Sequence, residues 1–266
     1  MKILCLHGRN QNGQIFKKEL GTVIQMIEDS ETGVSFDFAD APKQCAGSSS
    51  DGQTVYKFFD SPIRIEIYRA MTWLKSKLEA DGPYDGVIAF CQGATVVSSY
   101  LLDHQWYSAE ESPPFRFATF ISGSLSLEVL RFLGAHVPEA AQKIVGEAER
   151  RHQQSLGPLD EHTSRARRAM FDSTDCFGLN WNEIQPELKF RIPTVHVWGS
   201  NDAGFPASAH LAGVCDPYLR KIYVHDYGRI VPQDSVRGTE EDRQELGRLV
   251  LWCMQRATWP GQSQVQ

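Results

Sequence analysis

Val87-Ile88-Ala89-Phe90-Cys91-Gln92-Gly93-Ala94 reads as an apolar strand that runs through a glycine-containing turn directly into a helix. A strand–turn–helix of this kind, usually written G-x-S-x-G, is a nucleophile elbow. It exposes one side chain above the sheet, and the backbone N–H after the nucleophile helps bind an oxyanion. Here the nucleophile position is Cys91, Gly93 follows two residues on, and Ala89 stands where the first glycine is usual. Both small residues leave space for the tight turn. A helix N-terminus behind Cys91 favours a thiolate. A buried core cysteine is the plain alternative, because free cysteine is among the most buried residue types.

On either side of this segment, short apolar runs alternate with helical stretches. Ile3–Leu6, Val34–Phe38, Val87–Phe90, Phe117–Ser122, Thr194–Trp198 and Ile222–His225 read as strands, short and apolar as the central strands of a parallel sheet tend to be. Phe16–Glu28, Ile63–Leu78 behind Pro62, Gln92–Leu102 and Glu240–Gln255 carry apolar positions at helical spacing. This alternation predicts an α/β fold with a mostly parallel, doubly wound sheet. Two stretches break it. Residues 41–61 are rich in Gly and Ser before turning aromatic at Tyr56, Phe58 and Phe59. Residues 124–190 form a long excursion, expected to hold helices near 125–134, 138–154 and 160–171 and to act as a lid. A single domain over 1–259 and a frayed tail over 260–266 follow.

The chain has 266 residues, 41% of them apolar and 23% charged, with a net charge of −6. This is ordinary globular composition, long enough to bury roughly three quarters of the unfolded surface. The acidic balance argues against a nucleic-acid binder. No run of about 18 apolar residues is present to span a membrane, and the apolar start before His7 is too short for a signal peptide. Six scattered cysteines without a C-x-x-C pair give no zinc spacing and fit a reduced, cytoplasmic protein. Neither G-x-G-x-x-G nor G-x-x-x-x-G-K-[ST] occurs, so neither cofactor nor metal is expected. The charge clusters Glu147–Arg151 and Arg165–Arg168 read first as solvated helix faces and, more sharply, as docking sites for an acidic carrier protein.

Further motifs lie along the chain in order. Leu6-His7-Gly8 is followed by Gln11-Asn12 and Phe16, and Asp40-Ala41-Pro42 follows the second strand. His196-Val197-Trp198-Gly199-Ser200-Asn201-Asp202 and His225-Asp226-Tyr227-Gly228-Arg229-Ile230-Val231-Pro232 close the series. In this order they resemble the fungal serine hydrolase family of α/β-hydrolases, with its L-H-G-x-x-Q-N-x-x-x-F opening, D-A-P segment, G-F-S-Q-G-A elbow, H-V-x-G-x-x-D acid and H-x-G-G-H-x-V-P histidine. The resemblance implies an α/β-hydrolase fold with a helical lid. It also implies a place in secondary metabolism, acting on an apolar, polyketide-like small molecule.

Two departures bear on the chemistry. The family's serine is Cys91 and its histidine is Arg229; of the usual set, Asp202 is unchanged. Arginine, with a pKa above about 12, can neither take the nucleophile's proton nor activate water. Arg229 is expected to form a bidentate pair with Asp202 and to act as a fixed cation beside Cys91, stabilising a thiolate, an alkoxide or a substrate carboxylate. Beside that cation Asp202 is a weak base. By the resemblance, the backbone N–H groups of Arg9 and Gln92 form the oxyanion hole, with His7 in the same loop. Tyr227 is a candidate proton donor, and His225 is a replacement base only if its loop is rearranged.

Losing both serine and histidine fits non-acyl tailoring best. Epoxide opening or cyclisation needs charge stabilisation at an alkoxide and a positioned nucleophile, without an acyl-enzyme. A thioesterase or esterase with a cysteine nucleophile is the alternative, and a ligand-binding homologue without turnover is the third.

Overall fold

The computed structural model describes residues 1–159, 175–232 and 238–258. The six expected strands are present: β1 (Lys2–Leu6), β2 (Ser35–Ala39), β5 (Gly86–Phe90), β6 (Phe117–Ile121), β7 (Thr194–Gly199) and β8 (Arg220–His225). They form one sheet in the order β2-β1-β5-β6-β7-β8, every pair parallel. Because successive side chains of a strand point to opposite faces, each strand feeds two core layers. Ile3, Cys5, Ile88 and Phe90 pack on one face under α1 (Gly13–Glu19), α2 (Gly21–Ser30) and α8 (Glu240–Thr258). Leu4, Leu6, Val87 and Ala89 pack on the other under α3 (Arg64–Asp81) and α4 (Gln92–Tyr107). This double winding is an α/β-hydrolase architecture.

The excursion after β6 carries α5 (Leu127–Phe132) and α6 (Glu139–Gln153), followed by short 3-10 turns at Trp181–Glu183 and Pro186–Leu188. It forms the helical insertion over the sheet. The helix expected over 160–171, the cluster Arg165–Arg168 and the tail 260–266 lie outside the described residues. Phe177 and Trp181, the large aromatics late in this excursion, are core residues and do not line the cavities beneath it. Both are buried against α7 (Phe205–Gly213), Phe177 edge-on to Phe205 at 5.1 Å and Trp181 edge-on to His210 at 6.0 Å. Glu147 pairs with Arg150 and Arg151 on its own helix, which accounts for the first charge cluster.

Three local readings change. The single helix expected over Phe16–Glu28 is two, because Leu20 leaves helical geometry at ψ 7° while its side chain is fully buried; Asn12 caps the first by accepting from the Ile15 N–H. Residues 41–61 hold an antiparallel hairpin, β3 (Lys43–Ser48) and β4 (Thr54–Lys57), whose short strands each bury a single residue, Cys45 and Val55, and so carry no sustained apolar pattern. Finally, α7 went unpredicted because Phe205 through Ala212 are all buried, which removes the amphipathic signal.

Candidate active site

Cys91 sits between β5 and α4 at φ 49°, ψ −111°. This left-handed geometry is costly for a residue other than glycine, on the order of 1–3 kcal/mol, and such strain gathers at functional positions. The surrounding glycines explain how it is held. A Cβ on Gly93 would lie 2.7 Å from the Leu6 carbonyl oxygen, and one on Gly8 would lie 2.7 Å from the Phe90 ring, so the elbow drops onto the end of β1 only without side chains there. The Cys91 N–H donates to the Ile121 carbonyl at 3.0 Å, tying the elbow to β6.

The loop after β1 is ordered by the residues of its motif. Gln11 Oε1 accepts from the Gly8 N–H at 2.9 Å, and Gln11 Nε2 donates to both Glu19 oxygens. Asp40 Oδ1 accepts from the Gly13 N–H at 2.7 Å, and the Ala41 N–H donates to His7 Nε2 at 3.0 Å. His7 Nδ1 therefore carries the proton and donates to the Gly8 carbonyl at 2.6 Å. Burial lowers the pKa of this ring, with the Gly8 bond opposing. His7 is a fully buried brace joining two loops and does not line the cavity at Cys91.

Arg229 reaches the elbow because β7 and the loop after β8 cross closely: a Cβ on Gly199 would lie 1.9 Å from the Tyr227 carbonyl oxygen. The Asp202 carboxylate is fully buried, and its Oδ1 accepts from the Gly204 N–H at 2.8 Å. Arg229 Nε–H bridges both Asp202 oxygens at 3.3 and 3.1 Å. The pair is thus not the two-nitrogen fork expected. Nη2 lies over Gly204, where a Cβ would come within 1.6 Å of it, and Nη1 turns toward Cys91 Sγ at 3.8 Å. Burial would lower the pKa of Arg229, but the charge of Asp202 outweighs it and holds the guanidinium above its ordinary value. Cys91, Asp202 and Arg229 are therefore brought together, with the cation in the middle.

These groups face a cavity of about 590 Å³ lined by Arg9, Cys91, Ser122, Glu149, His152 and Arg229, among others. Arg9 Nη1 donates to the Asp60 carbonyl at its rim. The Gln92 side chain is a brace, accepting from the Phe58 N–H at 3.1 Å and donating to the Phe59 carbonyl at 3.0 Å. Among the described residues, neither the Arg9 nor the Gln92 backbone N–H donates to a turn or loop partner. An adjoining cavity of about 290 Å³ shares Pro62, Thr95, Ser124, Glu149 and Arg229 with the first, and its remaining walls include Ile67, Leu125, Leu127, Val145 and Ala207. The site therefore has a polar chamber at the sulfur and a more apolar one under the insertion.

Tyr227 and His225 stay outside. The Tyr227 N–H donates to His225 Nδ1 at 3.2 Å, His225 is buried, and neither residue lines the cavity. His196 belongs to the core, bonded to Thr194 Oγ1 and stacked on Phe120. Sequence reasoning missed Ser122, Glu149 and His152. Glu149 lies in the charged run Glu147–Arg151 taken for a solvated face and His152 directly follows it; their i, i+3 spacing puts both on one side of α6. Among the described residues no cluster of three His, Cys, Asp or Glu could hold a metal, and no helix is long and apolar enough to cross a membrane.

Comparison with known proteins agrees with this fold. Esterase alnB of Emericella nidulans is 25% identical over 286 residues, covering 96% of this chain and 97% of that protein. Thioesterase FSL2 of Gibberella zeae is 25% identical over 282 residues, covering 96% and 93%. Among solved structures, Arabidopsis thaliana SOBER1 superposes with a TM-score of 0.50 at 14% identity over 97% of this chain and 99% of that one. An esterase/lipase from an uncultured bacterium superposes with a TM-score of 0.52 at 13% identity over 97% and 77%. The sequence pattern of the serine hydrolase (FSH1) family matches residues 1–239, and the chain belongs to that family, carrying cysteine and arginine where the family resemblance leads one to expect serine and histidine.

Proposed function

We propose that the protein hydrolyses acyl thioesters or activated esters through a Cys91 acyl-enzyme. One observation carries the reading: a strained cysteine at the N-terminus of α4 has an arginine nitrogen 3.8 Å from its sulfur and two unpartnered N–H groups beside it. A guanidinium facing the sulfur stabilises the charge of an attacking thiolate without accepting a proton. In this reading, and by the family resemblance, the Arg9 and Gln92 N–H groups receive the carbonyl oxygen as it gains charge. Exchange of one thiolate for another at a thioester needs no base for the leaving group, which suits a site without the triad histidine. The apolar chamber offers room for an acyl chain, and the names of the esterase and thioesterase relatives support the same class. A polyketide-derived acyl group belongs to this reading through the family resemblance.

Epoxide opening draws less support. It needs Asp202 to orient the attacking oxygen, yet that carboxylate has no exposed surface and both its oxygens accept from Arg229.

Incubation with a short acyl thioester tests the proposal. Thioester cleavage is expected from the wild-type protein and not from Cys91→Ala, with any trapped acyl group located on Cys91 by intact-protein and peptide mass spectrometry. Cleavage by Cys91→Ala at the wild-type rate would overturn it.

A further inference from the structure

We infer that His152, on the inserted helix α6, is the base that activates water to release the acyl group from Cys91. The inference rests on the acyl-enzyme reading above and assigns the step that Arg229 cannot perform.

The other candidates in the site are committed elsewhere. Asp202 is sealed beneath Arg229. His7 has both ring nitrogens in hydrogen bonds. His225 does not reach the cavity. His152 does: it lines the same chamber as Cys91 and Arg229. Among the described residues neither of its ring nitrogens has a hydrogen-bond partner, so one is available to accept and the other to donate. The ring is half-buried. The charged and titratable groups facing it are Glu149 from its own helix, Arg229 from the loop after β8, Asp202 from the loop after β7, and Cys91, Arg9 and Asp60 across the chamber. Burial, then Arg229, lower its pKa, with Asp202 and Glu149 opposing. The imidazole is therefore neutral near pH 7, as a proton acceptor must be.

The step balances without a co-reactant other than water. The water oxygen bonds to the thioester carbonyl carbon while one of its protons passes to the imidazole. The resulting oxyanion is held by the Arg9 and Gln92 N–H groups. It collapses, the C–S bond breaks, and the electron pair returns to Cys91 as a thiolate facing Arg229. The carboxylic acid departs and the imidazolium gives its proton to solvent. Insertion helix and elbow thus divide the cycle: α4 presents the nucleophile, and α6 presents the base.

The test follows the two half-reactions separately, using the full chain and a butyryl thioester. Wild type, His152→Gln and His152→Ala are mixed with the thioester, desalted, and followed by intact mass over time. Acylation of Cys91 is expected to stay within a few-fold, while decay of the adduct slows by about 100-fold or more in both variants. Added imidazole should restore decay in His152→Ala. Wild-type decay should fall as pH drops through a value below 6.5, the ordinary histidine value, and this limb should vanish in His152→Gln. Adducts that decay equally fast in wild type and variants would overturn the inference and leave the acyl-enzyme standing. Equal slowing of acylation and decay would overturn it too. Absence of adduct from all three proteins, together with no thioester cleavage, would sink the acyl-enzyme and the inference with it.

Discussion

Replacing Arg229 with methionine is expected to lower unfolding free energy by about 3–5 kcal/mol, the usual cost of removing one partner from a buried ion pair. Asp202 is fully buried, and without Arg229 its carboxylate keeps the Gly204 N–H as a hydrogen-bond donor but has no cation beside it. Methionine matches the length of the side chain but leaves that charge uncompensated. Urea denaturation should show the midpoint falling with little change in slope. The second arm separates fold from chemistry. Asp202→Leu combined with Arg229→Met removes both charges and should recover most of the stability, since apolar replacements of buried pairs are often neutral. It should not recover thioester cleavage, because Cys91 then faces no cation. A single variant as stable as wild type would mean that Asp202 is not held by Arg229.

Acidification should weaken the fold steeply between pH 6.5 and about 4. His196, His210 and His225 are buried, and burial is the leading cause that drives their pKa values down to about 3, 4 and 4. Their neighbours explain why no proton is welcome. His210 Nε2 already donates to the Cys176 and Phe177 carbonyls, and His225 Nδ1 already accepts from the Tyr227 N–H. The sign follows from proton counting. Below pH 6.5 the unfolded chain binds protons that the folded chain refuses, so stability falls as pH falls. Each ring contributes about 1.4 kcal/mol per pH unit in that window, so three together cost about 6 kcal/mol by pH 5. That is a large share of the stability of about 5–15 kcal/mol typical of a native protein. Thermal unfolding at pH 7, 6 and 5 would read it directly, and a melting temperature unchanged over that range would refute it.

The sheet was legible because central parallel strands are short, continuous apolar runs, and six of them stand out between helical segments. The β3–β4 hairpin was not, since each short strand buries only one residue and the Gly and Ser content of 46–52 reads as a loop. Burial on all sides hid α7 in the opposite way. At the site, Cys91, Asp202 and Arg229 could be named because each sits at a strand end in a motif of fixed order, and strand ends meet along one edge of a parallel sheet. The insertion has no such rule. Whether His152 points to solvent or into the cavity depends on how α6 lies over the sheet, and a charged run such as Glu147–Arg151 says nothing of that. His7 and Tyr227 show the converse. Both belong to motifs around the site, yet the first ties loops together and the second offers its backbone to His225.

The placement of the six cysteines makes the protein its own reporter. Cys5, Cys45, Cys176, Cys215 and Cys253 are buried, whereas Cys91 is half-exposed at the cavity floor. A thiol reagent applied to the native protein should therefore stop at one equivalent, spent on the elbow, and reach six when the chain unfolds. Alkylation stoichiometry then counts folded molecules and occupied sites in one titration: a bound ligand protects the first equivalent, and a loosened core releases the other five.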